Sequence, residues 1–255
     1  MDLQWTLCSC ATVAALVSFA PASGAAELKV LSPVAMRGAM TEVAGQFEKA
    51  SGHKLIVEFA TAGAVTKRIE SGEPAEIAIS SKAQVEGLES KGKFVPGTRA
   101  SVARVGLALF VKADAPKPVI DTVSNFKKVM NAAQSIGYGD PAAGGVSGVH
   151  MARVIERLAL GELQRKIALF PDSQAVMIAV AKGNTEIGFG LTSDASLVPG
   201  VKLAAPLPAD IQNFTEYAAA VVLGAKEEAA AREFVNYLSS PAAREAWKAN
   251  GFQPL

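Results

Sequence analysis

Residues Gly144-Gly145-Val146-Ser147-Gly148 form a small-residue loop that sets a serine hydroxyl three positions before His150. A serine nucleophile elbow reads G-x-S-x-G, and Val149 stands where its last glycine belongs. A Ser147/His150 pair would also sit on one helix start, whereas triad members converge from distant segments. An enzyme using Ser147 would find only His150 or Asp140 close by as a base. Gly139 and Gly144 keep the glycine spacing of a P-loop without the lysine that motif requires. Gly137-Tyr138-Gly139 begins a dinucleotide fingerprint that Ala142 breaks. His53 and His150 have no metal-ligand spacing, so neither a metal nor a cofactor is expected. Binding is the chemistry that remains.

Several loops are suited to it: Ser32-Pro33-Val34-Ala35-Met36, Ala60-Thr61-Ala62-Gly63-Ala64, Ser80-Ser81, the 144–148 loop and Thr192-Ser193-Asp194. Each joins small or hydroxyl side chains to the free N–H groups of a helix start. Those N–H groups and the positive end of the helix dipole hold an anion without any cationic side chain. One such loop is more often a plain helix cap; several of them in one chain point to a binding cleft.

The elements that must position these loops alternate. Strands are expected at Leu28–Leu31, Lys54–Phe59 and Ile77–Ser80, and helices between them. Met36, Met40, Val43 and Phe47 recur at helical spacing, and Ser51-Gly52 stops that helix. Further strands are expected at Val105–Val111, Ser135–Tyr138, Glu186–Gly190 and Ala218–Leu223. Helices fall near 123–133, 151–158 and 174–181, with two more at the C-terminus. Strands alternating with helices indicate βαβ units and mostly parallel sheets, here an α/β protein of two lobes. The expected lobes are residues 27–104 plus 215–255, and 105–214, with Arg104 near their first crossover.

Composition narrows the class. The 255 residues are 50% hydrophobic and 19% charged with a net charge of +1, which excludes wholesale disorder and gives no basic surface for nucleic acid. Trp5–Ala20 is an uncharged apolar run, followed by Pro21 and small residues up to Ala26. That is the order of a secretory signal, although Met1–Gln4 has no basic residue. Cys8 and Cys10 fall inside this leader. Residues 1–26 contain Asp2 and no Lys or Arg, so their removal takes the net charge from +1 to +2. The mature chain is expected to be periplasmic, soluble and free of cysteine.

Three stretches carry a family resemblance: Leu28 to Met40; Phe59 to Ile69 with Gly72-Glu73-Pro74-Ala75-Glu76-Ile77; and Gly188 to Ala195. They resemble the periplasmic molybdate-binding proteins of ABC transporters, and the likeness continues through Leu238–Pro241 to Asn250–Pro254. The resemblance implies a type II periplasmic-binding fold, closing on a small oxyanion in a cleft between two lobes. It implies delivery to an inner-membrane ABC permease, by a monomer without enzymatic activity. The family holds its oxyanion with a serine in each of the first two loops and a tyrosine after a late strand. This chain has Ala35, Ala62 and Leu191 at the matching positions, and Ser147 where the family has a small apolar residue. A small organic or phosphorylated acid is therefore the alternative ligand. The residues expected to line the cleft are Ser32, Ala35, Met36, Thr61, Ala62, Gly63, Ser147, Gly148 and Thr192.

Overall fold

The computed structural model describes residues 24–255. The leader expected over residues 1–26 therefore lies, up to Ser23, outside the described residues, as do Cys8 and Cys10. The strands are β1 (Glu27–Pro33), β2 (Lys54–Ala60), β3 (Ile77–Ser81), β4 (Ala100–Lys112), β5 (Ile136–Gly139), β6 (Ile167–Phe170), β7 (Ile187–Leu191), β8 (Val201–Pro206), β9 (Phe214–Val221) and β10 (Gln253–Pro254). The helices are α1 (Arg37–Ser51), α2 (Ala62–Glu70), α3 (Lys82–Ser90), α4 (Val123–Ala132), α5 (Val146–Arg157), α6 (Ser173–Ala181), α7 (Glu228–Tyr237) and α8 (Pro241–Ala249).

The strands form one continuous sheet in the order β2-β1-β3-β9-β4-β7-β5-β6. Parallel pairing holds β2, β1 and β3 together at one end, and β6, β5 and β7 at the other. Between them β9 and β4 run antiparallel to their neighbours. The expectation of mostly parallel sheets is met at both ends and broken in the middle. There β4 is the bridge: Ala100–Gly106 pairs with β9, and Leu107–Val111 pairs with β7. Where it passes from one half to the other, the Gln212 side chain accepts from Leu107 N–H at 2.8 Å and donates to Leu107 C=O at 3.0 Å. That amide gives Leu107 N–H its partner, while Leu107 C=O also accepts from Leu207 N–H at 3.1 Å.

Side-chain alternation builds a core on each face of the first half. Tyr217, Ala219 and Val221 of β9 join α1, α7 and α8 on one face. Ala218, Ala220 and Val222 meet Val65, Ile69, Val85 and Leu88 of α2 and α3 on the other. The stripe Met36, Met40, Val43 and Phe47 is fully buried as its spacing requires. Gly52 closes α1 in the left-handed conformation, φ 78°, which a side chain disfavours. Four elements went unanticipated, among them the two-residue strand β10. α3 has only Val85 and Leu88 as buried apolar residues. β6 and β8 are short, partly exposed strands whose pairing comes from tertiary contact.

Arg104 lies near the passage between the halves, two residues before Gly106–Leu107. It is exposed, lies over the Phe214 ring at 5.3 Å and donates to Gln253 at 2.8 Å.

Candidate functional site

The carboxyl ends of β1, β2, β5, β6 and β7 open onto one small cavity of about 30 Å³ between the two halves. This is where open α/β sheets place ligands. Four of the helical starts that reach its wall lead into α-helices, and they differ in capping. Thr61 caps α2 by accepting from Ala64 N–H at 3.1 Å, and Asp172 caps α6 by accepting from Ala175 N–H at 2.8 Å. The other two have no side-chain cap: the 3-10 turn Val34–Met36 that runs into α1, preceded by Pro33, and α5, preceded by Gly145. Pro and Gly leave the first N–H groups of those helices unoccupied by side chains. Val34, Ala35, Val146 and Ser147 all line the cavity. Two positive helix ends from opposite halves thus face one space, with no lysine or arginine in the wall.

Side-chain hydroxyls come from Ser147, Ser173 and Tyr217, which line the cavity while being 6%, 9% and 1% exposed. Asp140 and Asp172 also line it. Each uses one carboxylate oxygen on the helix turn it begins, Asp140 on Ala142 N–H at 2.9 Å and Asp172 on Ala175 N–H.

The halves touch across the cavity mouth. Gly63 N–H donates to Gly144 C=O at 3.0 Å, and the Thr61 hydroxyl donates to Ala143 C=O. The contact needs glycine on both sides. A Cβ on Gly63 would lie 2.9 Å from Gly144 Cα, and one on Gly144 would lie 3.0 Å from Gly63 Cα. Gly144 also has φ 71°.

Of the residues expected to line the cleft, Ala35, Thr61, Ala62 and Ser147 do, as does Leu191. The Thr61 hydroxyl is already committed, to the α2 cap and to Ala143. Gly63 lies at the mouth as a closing contact. Gly148 packs α5 on β5, where a Cβ would come within 2.1 Å of Gly139 C=O and so force a shift. Ser32 and Met36 are fully buried outside the cavity wall, Met36 as part of the core. Thr192 donates to Gly251 C=O at 2.7 Å, tying its turn to the C-terminal segment. Asp172, Ser173 and Tyr217 were not anticipated, and Asp140 only as a base beside Ser147. The signal for two was present, since Pro171-Asp172-Ser173 before an apolar helix is an N-cap pattern. Tyr217 gave none beyond being the one large side chain in Tyr217-Ala-Ala-Ala-Val221.

Behind the wall lies Asp194, fully buried. Its Oδ2 accepts from Leu191 N–H at 2.7 Å, while Oδ1 has no partner. Burial is the main cause that pushes its pKa up to about 7; the Leu191 N–H and the Ser173 hydroxyl oppose this, and the charge of Asp172 adds to it. Burial and the Asp194 charge raise the Tyr217 phenol as well, so that hydroxyl stays a proton donor at neutral pH. A wider open groove of about 550 Å³ adjoins the cavity beyond Val146, with Lys82, His150 and Arg153 on its walls. Among the described residues no cluster of three or more His, Cys, Asp or Glu is placed to hold a metal ion.

The profile of a family described as bacterial extracellular solute-binding protein matches residues 28–253. The chain belongs to that family. It is 31% identical to the aconitate isomerase of a Pseudomonas species, over 89% of this chain and 88% of that protein. It is 29% identical to the molybdate-binding protein ModA of Escherichia coli strain K12, over 93% of this chain and 95% of that protein. The solved periplasmic molybdate-binding protein of Azotobacter vinelandii superimposes with a TM-score of 0.73 at 24% identity, covering 88% of this chain and 98% of that one. The two-lobed periplasmic-binding fold implied by the sequence is the fold of this solute-binding protein.

Proposed function

We propose that this solute-binding protein is an exported receptor that encloses a small anion between its halves and presents it to an inner-membrane ABC permease. One observation carries the reading: two uncapped helical starts, Val34–Met36 and Val146–Gly148, open from opposite halves onto one cavity. An anion there satisfies N–H groups of both halves at once and so favours the closed arrangement. Closure, not covalent chemistry, is the mechanism. The moving bodies are residues 27–104 with 215–255, and 105–214; the leader is 1–26 and the mature protein is a monomer.

Molybdate is the ligand suggested by the names of the ModA relatives, and a small organic acid the one suggested by the relative named aconitate isomerase. The wall lacks hydroxyl donors at Ala35, Ala62 and Leu191, and Ser147 and Tyr217 bring hydroxyls to it from other elements. The test is a thermal-shift screen of the mature protein, stripped of carried-over ligand by unfolding and refolding. The panel holds molybdate, tungstate, sulfate, phosphate and small carboxylic acids. A ligand at 100 times its dissociation constant adds roughly 2.7 kcal/mol and raises the melting temperature by a few degrees. No shift with any anion would contradict the reading. A relative named aconitate isomerase supports a second reading, in which the enclosed ligand is also converted. Proton NMR of the protein incubated with each binding acid, showing a new product, separates conversion from binding.

A further inference from the structure

We propose that the cavity selects a small organic acid bearing a hydrogen-bond donor beside its carboxylate, and that Asp140 and Asp172 reject inorganic dianions such as molybdate and sulfate. This rests on the reading of the cavity as an anion-receptor site and names the class of anion. The wall is two-sided in chemistry. Its donors are the helix-start N–H groups at Val34–Ala35 and Val146–Ser147 and the hydroxyls of Ser147 and Tyr217, while the Ser173 hydroxyl is engaged by Asp194. Its acceptors are Asp140 and Asp172, which line it and each commit one oxygen to a helix turn. A tetrahedral dianion consists only of acceptors. It would satisfy the N–H groups and confront two like charges in an enclosed space, where such charges repel far more strongly than in water. An acid with an adjacent hydroxyl or ammonium group satisfies both sets, carboxylate to the helix ends and donor to an aspartate.

Two further observations agree. No lysine or arginine in the wall offsets the aspartates. The charges of the two aspartates also reach neighbouring groups: after burial, the main cause, Asp172 adds to the raised pKa of Asp194 and Asp140 to that of Tyr138.

Asparagine is the informative substitution, because it keeps the acceptor oxygen that caps each turn and removes the charge. Calorimetric titration would compare the wild type with Asp140→Asn and Asp172→Asn, using glycolate, lactate, glycine, acetate, molybdate and sulfate. Expected is a wild type that binds glycolate or lactate, or else glycine, at least 10-fold more tightly than acetate, and molybdate and sulfate more weakly still. Glycolate and glycine separate a hydroxyl donor from an ammonium donor. In the variants the preference over acetate should fall at least fivefold, and molybdate or sulfate should gain at least 10-fold. A wild type that prefers molybdate, or variants with unchanged ratios, would overturn the selection proposal and leave the receptor reading standing. Failure of every anion to bind the wild type and both variants would overturn both.

Discussion

The two halves of this molecule contribute to one cavity by different means. At its first two loops the first half presents Pro33, Val34, Ala35 and Ala62, side chains with nothing to donate, and a Thr61 hydroxyl already committed elsewhere. Its offering there is backbone. The second half presents backbone at Val146 and Ser147, and also polar side chains at Asp140, Ser147, Asp172 and Ser173. Backbone N–H groups fix that an anion is held, because every protein has them and they tolerate any acceptor. Side chains decide which anion, because they add charge and direction. The difference teaches that closure and selectivity are separable here, and that selectivity sits mainly in the second half.

The strongest way to break the comparison is to block closure while leaving every lining side chain in place. Gly63→Ala puts a Cβ against the Gly144 backbone. Alanine in the first turn of α2 also suits a helix better than glycine. Expected is a ligand affinity lower by roughly 100-fold, about 2.7 kcal/mol, with an unliganded melting temperature equal to or above that of the wild type. Titration calorimetry and thermal denaturation of the same variant check both halves of that statement.

A second test strikes the charge behind the second half. In the folded state burial pushes the Asp194 pKa up to about 7, above the ordinary aspartate value of 3.8. Its contribution to stability is therefore fully present below about pH 4 and is lost as pH rises through 7. The total loss is on the order of 4 kcal/mol, shared with whatever relaxation the buried site allows. Asp194→Asn keeps an acceptor for Leu191 N–H and cannot ionise. In urea denaturation between pH 4 and 9, the wild type should lose stability with pH across this window and the variant should not. At pH 8 the variant should be the more stable of the two.

Smaller effects come from single hydroxyls. Ser147→Ala should weaken binding of the cognate acid by about 1–2 kcal/mol, since it removes one donor from a desolvated anion. Ser32→Ala should leave affinity unchanged, because Ser32 is buried outside the wall and its hydroxyl has no partner to lose. Equal effects at Ser32 and Ser147 would break the assignment of side-chain selectivity to the second half.

Much of the architecture was legible because it rests on short-range rules. The Met36–Phe47 stripe, the stop at Gly52 and the apolar strands β1, β3 and β7 follow from periodicity and burial alone. The strand β4 was read only from Val105, since Ala100–Arg104 owes its strand to β9 and not to its own composition. At the site, loops were legible and directions were not. Thr61 and Thr192 carry hydroxyls of the right type, yet one is held by Ala143 and the α2 cap and the other by Gly251, partners far away in sequence. Tyr217 enters the wall because β9 inserts between β3 and β4, which no local pattern announces.

The central claim is that backbone N–H groups from both halves hold the anion. Backbone amide NMR of the mature protein, titrated with the best acid from the thermal screen, addresses it directly. Expected are the largest shift changes at Val34–Met36 and Val146–Gly148 together, with slowed solvent exchange at both. Changes confined to the groove of Lys82, His150 and Arg153, or to one half alone, would contradict it.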